Sequence, residues 1–141
     1  MYYQDRKIAG ILIENDITGQ FLTRSIVGIG ININQEVFVS EAPNPISLKQ
    51  ITGKETDLNH LLQQVFDSIL DRYKQLKNGA YEIISKEYHS VLYRNDGFYP
   101  YRDQENMFYA KIQSVDSTGC LHLIDKSGET KKYVFKSVCF V

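Results

Sequence analysis

Lys7-Ile8-Ala9-Gly10-Ile11-Leu12-Ile13-Glu14, with the glycine-punctuated run Gly28-Ile29-Gly30-Ile31-Asn32 that follows it, decides how the rest of the chain is read. Both runs are apolar, and Asn15-Asp16-Ile17-Thr18-Gly19 between them is a cluster of turn residues, so they read as the strands of a hairpin rather than as helix. A loop centred on Ile17 and Thr18, with Asn15 opposite Gln20, carries the register on to Lys7 opposite Gly28. That pairing sets a cation beside positions that have no side chain. Glycine weakens a strand interior and is kept where another backbone or a ligand must come close, so these glycines point to a pocket.

The 141 residues are enough for one ordinary domain or two small ones, and the 43% hydrophobic content is enough for a core. No apolar run reaches the roughly 18 residues that a membrane span needs. The opening Met1-Tyr2-Tyr3-Gln4-Asp5-Arg6 is polar and unlike a signal peptide, which makes the cytoplasm the expected compartment. A net charge of -1 gives no electrostatic reason to expect a nucleic acid or another polyanion. His60, His89 and His122 lie on different elements without carboxylates or thiols at ligand spacing and read as surface or half-buried residues, so no metal site is expected. Cys120 and Cys139 are too far apart for a local metal motif. They stay open between a disulfide and two buried thiols, the missing secretory signal favouring the thiols.

From Ile33 to Pro45 no period is sustained, and Ala42-Pro43-Asn44-Pro45 closes a loop that leaves the sheet. Ser47, with Gln50 three residues on, is a capping box for a short helix that Gly53 ends. Asp57 opens the strongest helix, with Leu58, Leu61, Leu62, Val65, Phe66, Ile69, Leu70, Tyr73 and Leu76 at three- and four-residue steps. Lys74, Lys77 and Asn78-Gly79 suit its end. The stripe reads as a cover over a sheet, with no chemistry of its own. Tyr81 to Tyr93 is a second helix, expected to pack beside the first.

After Asn95-Asp96-Gly97 the period becomes two. Phe98–Tyr101, Met107–Val115, Cys120–Ile124, Lys132–Phe135 and Val138–Val141 are short strands separated by turn clusters at 103–106, 116–119 and 125–128, and they suit a small closed barrel. The aromatics Phe98, Tyr99, Tyr101, Phe108 and Tyr109 supply either its core or a contact face.

The chemistry is sparse. No nucleophile triad or carboxylate pair is readable, and Gly28-Ile29-Gly30 leads into a loop rather than a helix, which excludes a dinucleotide fingerprint. What remains is Lys7 with the glycines. A lysine partly shielded from water can hold a carboxylate or phosphate and stabilise charge that develops in acyl or phosphoryl transfer. A lysine at a strand end pointing into solvent fits the same spacing.

Asp5-Arg6-Lys7-Ile8-Ala9-Gly10-Ile11-Leu12-Ile13-Glu14, followed by Val27-Gly28-Ile29-Gly30-Ile31-Asn32, resembles the biotin protein ligase family, with its R/K-K-x-x-G-I-L-x-E and x-G-x-G-x-N patterns. Gly119-Cys120-Leu121 and the closing Val138-Cys139-Phe140-Val141 resemble the strands of that family's SH3-like barrel. The likeness covers nearly the whole chain and is shared in weaker form with lipoate and octanoyl ligases. The implied fold is α+β: part of a mixed sheet like that of class II aminoacyl-tRNA synthetases and biotin ligases, with covering helices, then the barrel. Residues 1–94 would be the C-terminal half of the catalytic domain and 95–141 the barrel.

The resemblance implies that biotin and ATP, with Mg2+, give biotinyl-5'-AMP, and that a lysine of a biotin carboxyl carrier protein then takes the biotin. Lys7 matches the family's catalytic lysine, which contacts the biotin carboxylate and the adenylate phosphate. Gly10 matches the glycine under the biotin rings, Leu12 a wall of that pocket and Gly28 a glycine near the ligand. Gly30 and Asn32 match the adenylate side, Asn32 close to the adenine. The family's Gly/Arg-rich loop and Trp-Pro-Asn-Asp segment precede its lysine, whereas this sequence opens at Met1-Tyr2-Tyr3. The expectation is a C-terminal fragment, inactive alone, whose incomplete sheet favours a homodimer. No contact with membrane or nucleic acid is expected through this fragment. Two further readings are a lipoate or octanoyl ligase relative and a non-catalytic small-barrel interaction module.

Overall fold

A computed structural model describes residues 1–39, 43–134 and 136–141. Ala42, in the expected loop, and Phe135, at the end of the expected fourth barrel strand, lie outside the described residues. The chain divides into two compact units, Met1–Leu70 and Asp71–Val141.

The first unit is built on a hairpin. After two short paired strands, β1 (Tyr2–Tyr3) and β2 (Arg6–Lys7), come the long antiparallel strands β3 (Ala9–Thr18) and β4 (Phe21–Ile31). Gly19, at φ +63°, stands first in the two-residue turn, where a type II′ hairpin wants glycine. The turn therefore sits later than its polar residues imply, and Asn15 and Asp16 belong to β3, with Asp16 ion-paired across the ladder to Arg24 at 2.6 Å.

The register corrects the sequence reading. Gly10 pairs with Gly30 and Leu12 with Gly28. Lys7 does not face Gly28; it pairs with Tyr2 in the small β1–β2 sheet.

β3 and β4 pair only with each other among the described residues. A ribbon of two strands cannot bury a side chain on both faces. Ile11, Leu12, Ile13, Phe21, Leu22 and Val27 are accordingly exposed, Phe21 by 76%.

Two helices follow, α1 (Leu48–Thr52) and α2 (Leu58–Lys77), the division between the units falling inside α2. At α1 the capping box is complete: Ser47 Oγ accepts from Gln50 N at 3.2 Å and Gln50 Oε1 accepts from Ser47 N at 3.2 Å. Gly53, at φ +71°, closes the helix. Ser47 is fully buried, and its hydroxyl also donates to Gln35 O at 2.6 Å. Asp57 Oδ1 accepts from the N–H groups of Asn59 and His60 and caps α2.

The apolar stripe of α2 is not buried as expected; Leu62 is 66% exposed. It faces Val27, Ile29, Ile31 and Ile33 across an open groove of about 620 Å3. A two-stranded ribbon is too narrow to cover a twenty-residue helix, so the groove stays unfilled.

In the second unit α2 ends in a Schellman motif: Gly79 (φ +80°) N–H donates to Leu76 O and Ala80 N–H to Gln75 O. Helix α3 (Tyr81–Ser90) stops short of the expected Tyr93 and is joined to the last turns of α2 by the Arg72–Glu87 ion pair.

Five antiparallel strands follow: β5 (Tyr99–Arg102), β6 (Met107–Val115), β7 (Leu121–Asp125), β8 (Thr130–Tyr133) and β9 (Cys139–Phe140). Their order is β8-β7-β6-β5-β9, and among the described residues β8 and β9 do not pair, so the hydrogen bonding does not close into a barrel. Each connection from β5 to β8 opens with an aspartate, Asp103, Asp116 or Asp125, whose Oδ1 accepts from backbone N–H groups two to four residues on.

The core here is Tyr101, Ala110, Leu123 and Tyr133, with Phe108 stacked between the two tyrosines. Of the five aromatics, Tyr101 is buried and Tyr99 and Phe108 pack on the core, while Phe98 and Tyr109 remain on the surface. Both cysteines are free; Cys120 is buried and Cys139 exposed, so the buried-thiol reading holds only for Cys120.

Two predictions follow from these details. Ser47→Ala removes a buried cap and leaves backbone groups of α1 and of Gln35 short of a partner, which should destabilise the first unit by about 1–2 kcal/mol in urea unfolding.

The second concerns Asp116. His122, then Lys132 and Thr118, donate to its carboxylate, holding it well below the usual carboxylate range. A folded value below the unfolded one, about 3.9, stabilises the sheet above that pH, and the contribution is lost as the pH falls beneath it. Asp116→Asn should flatten the acid-side fall of the unfolding midpoint between about pH 4 and pH 2.

Candidate functional site

The end of the ribbon nearest β2 holds a cleft of about 310 Å3 lined by Lys7, Ala9, Gly10, Gly30, Ile31, Asn32, Phe38 and Pro45. Side chains alternate along a strand, so Gly10 and Leu12 on β3 and Gly28 and Gly30 on β4 fall on one face, opposite the α2 groove. Four of the six residues singled out from sequence, Lys7, Gly10, Gly30 and Asn32, come together here. Leu12 and Gly28 pair with each other further along the same face and do not line the cleft.

The glycines are not needed for backbone freedom. Gly10, Gly28 and Gly30 all lie outside the left-handed region, and nothing crowds them. A Cβ on Gly10 would find Lys7 Cε at 3.9 Å as its nearest neighbour, one on Gly28 only Leu12 O at 4.0 Å, and one on Gly30 nothing within 4 Å. The open floor they leave is therefore not taken up by this chain's own packing.

Lys7 is held by its backbone. Its N–H donates to Asn44 O at 2.9 Å, and its carbonyl accepts from Ile46 N at 3.0 Å and from Asn32 Nδ2 at 3.3 Å. Arg6 Nη2 donates to Pro45 O at 2.9 Å and Asn32 Nδ2 to Ile46 O at 3.2 Å. Three consecutive carbonyls, those of Asn44, Pro45 and Ile46, thus meet donors from residues 7, 6 and 32. Asn44 takes a left-handed φ of +49°, which asparagine tolerates.

The side chain of Lys7 is half-buried and its stem passes beside Gly10. The Met1 ammonium donates to Ala9 O at 2.7 Å, and burial, then the charge of Lys7, push its pKa below the ordinary value. A half-buried cation over a bare backbone floor suits an anionic group attached to a flat body.

Phe38 and Pro45 were missed in the sequence. Pro43-Asn44-Pro45 reads only as a loop, and its contact with Lys7 spans 38 positions. Among the described residues no group of three His, Cys, Asp or Glu could hold a metal ion, and no helix is long and apolar enough to cross a membrane.

If the cleft floor has to be empty only for an occupant, side chains there should not harm the fold. Gly10→Ala and Gly30→Ala should each keep the thermal midpoint of the unliganded chain within about 4 °C, the shift that about 1 kcal/mol gives a domain this size. A fall well beyond that in circular dichroism melts would mean that the glycines serve the backbone itself.

Over nearly its whole length the chain is similar to biotin protein ligases. It is 28% identical over 131 residues to the bifunctional ligase/repressor BirA of Bacillus spizizenii and 26% identical over 133 residues to that of Bacillus subtilis, in each case over 91% of this chain. It spans 40% of the length of these relatives. Its fold matches that of the biotin protein ligase of Aquifex aeolicus, with a TM-score of 0.73 at 23% identity for the apo form, covering 99% of this chain and 61% of that one. The same protein in complex with biotin and ATP gives a TM-score of 0.72 at 24% identity, over 99% and 58% of the two chains. No family model matches the chain. The partial coverage of these relatives fits the reading of the chain as one part of such a ligase.

Proposed function

We propose that this chain is the C-terminal part of a biotin protein ligase and carries one side of its active site. In the full reaction a carboxylate oxygen of biotin attacks the α-phosphorus of ATP and pyrophosphate leaves. The ε-amine of a carrier-protein lysine then attacks the acyl carbon, releasing AMP and a proton. On this reading residues 1–94 would belong to the catalytic domain and 95–141, whose five-stranded sheet stays open among the described residues, would correspond to the family's small SH3-like part, and the compartment would be the cytoplasm.

The observation that carries the reading is the facing pair Gly10 and Gly30, extended, uncrowded and overlooked by Lys7. A flat ring system lies against such a floor, and its carboxylate or the acyl phosphate meets the ammonium. Lys7 would neutralise oxygens that gain charge in both transfers. Leu12 and Gly28 would extend the biotin side, and Gly30 and Asn32 the adenylate side. Magnesium would arrive with the phosphates of ATP, which suits an ion that keeps much of its water.

A second reading, an interaction module, draws on the surface of the five-stranded sheet. Lys111 Nζ lies 5.6 Å from the ring centre of Phe98, and Lys126 Nζ lies 6.0 Å from that of Phe98 and 5.8 Å from that of Tyr109. These exposed aromatics with cations over their faces make a contact surface independent of the cleft.

Titration with biotin, lipoate and biotinyl-5'-AMP, followed by NMR, separates the readings. The ligase reading expects biotinyl-5'-AMP to bind with shifts around Gly10, Gly30 and Asn32, and Lys7→Ala to weaken it by about 10- to 100-fold, the usual loss for a charge-assisted hydrogen bond. No biotin should reach a carrier protein, because on this reading the chain supplies only one side of the active site. Tighter binding of lipoate favours the lipoate or octanoyl ligase relative, and binding of none of the three leaves the interaction module.

A further inference from the structure

We infer that His89 is a proton-released latch: its neutral imidazole ties helix α3 to the edge of β6 at Val115, and protonation of the ring lets the helix go. The inference does not rest on the ligase reading. Both elements belong to the second unit, Asp71–Val141.

β5 accompanies β6 only from Met107 to Ala110, so from Lys111 to Val115 β6 has a strand, β7, on one side alone. A backbone N–H on such an edge needs its acceptor from elsewhere. Val115 N–H finds one in His89 Nε2 at 3.2 Å, and both residues are half-buried. A backbone N–H can only donate, so Nε2 carries no proton. Nδ1 carries it instead and donates to Ser85 O at 2.7 Å, one turn back along the helix. That second bond fixes the tautomer and the ring orientation for the first.

Among the described residues no other hydrogen bond joins α3 to the five strands. Tyr81, Ile83 and Tyr88 are exposed, so little apolar packing stands in for it. The Arg72–Glu87 ion pair holds α3 to α2 independently of the ring.

Protonation removes the acceptor. Both nitrogens of an imidazolium donate, so Nε2–H would meet Val115 N–H, donor against donor. Protons therefore favour the released form, and the latch weakens as the pH falls through the range in which histidine changes charge, about pH 8 to pH 5. The groups around the ring do not reverse this. On α3 Tyr88 stands edge-on at 5.5 Å, and the neighbouring charges are Lys86 and Glu87, the latter spent on Arg72. After β6 the charge next to Val115 is Asp116, whose carboxylate is taken by His122, Lys132 and Thr118. Protonation of His122, 3.0 Å from Asp116 Oδ2, would strengthen that turn, the opposite sign.

Amide exchange of the full chain between pH 8 and pH 5, corrected for the intrinsic exchange rate, tests the latch. Protection of Val115 N–H should fall tenfold or more on acidification, about what the loss of one hydrogen bond allows, while Leu123 in β7 keeps its protection. His89→Gln places an acceptor oxygen near the position of Nε2 but takes no proton, and it leaves His122 in place. Its Val115 protection should stay within twofold across the range, whereas His89→Ala should be at least tenfold less protected than the unaltered chain already at pH 8. Constant protection in the unaltered chain, a fall shared by Leu123, or the same fall in His89→Gln would overturn the inference. Nitrogen chemical shifts of the His89 ring at pH 8 test it without any substitution. They should report the proton on Nδ1, and a proton on Nε2 would rule the latch out.

Discussion

The hydrogen-bond ladder between β3 and β4 sets Gly10 opposite Gly30, and the cleft exists because of that register. Side chains on a strand change face at every step, so a slip of one residue would put Ile29 or Ile31 where Gly30 stands and fill the floor. Register in a hairpin is fixed at its turn. Here the turn at Gly19 (φ +63°) is followed by a one-residue register shift between Asp16 and Ile17, and the two together at the far end of the ribbon decide that Gly30 faces Gly10.

The same ribbon explains why the two units are built so differently. The second unit buries Tyr101 and Tyr133 in a sheet of five strands, and its turns are tied by aspartates that accept from their own backbone. In the first unit most apolar residues of β3, β4 and α2 are exposed, and its buried positions, Ala9, Ile33, Ile46 and Ser47, lie at the start of β3 and around the loop that holds Lys7. Order there comes from hydrogen bonds and caps more than from area removed from water. Exposed apolar strands with free edges are also the usual template for further strand pairing, so the ribbon is the part of this chain most receptive to added structure.

How far the sequence revealed this follows from how local each signal is. The capping box at Ser47, the Gly53 and Gly79 caps, the period of α2 and the aspartate turns are all written within a few residues, and each is found where its pattern places it. The hairpin was legible, but its register was not. Counting from the polar cluster puts Ser25 opposite Gly10, whereas the later turn at Gly19, together with the one-residue register shift between Asp16 and Ile17, puts Gly30 there. The shift is odd, so it exchanges the faces of the ribbon. The clasp on Lys7 was not legible at all, because Asn44, Pro45 and Ile46 meet residues 6, 7 and 32 only in three dimensions. Nor does a stripe of leucines say whether a sheet wide enough to receive it is at hand.

These contrasts bear on what binding at the cleft must accomplish. A ligand held by Lys7 needs β2, the 43–46 loop and the end of β4 in one arrangement, and little buried apolar area enforces it. The apparent affinity of such a site is its intrinsic affinity reduced by the fraction of molecules in the competent arrangement. Any group that steadies the loop therefore raises affinity without touching the ligand, and any ligand that engages Lys7 steadies the loop in return, by the same free energy. Folding of the first unit and occupation of its cleft are in that sense one equilibrium, and the carboxamide of Asn32 lies where the two meet.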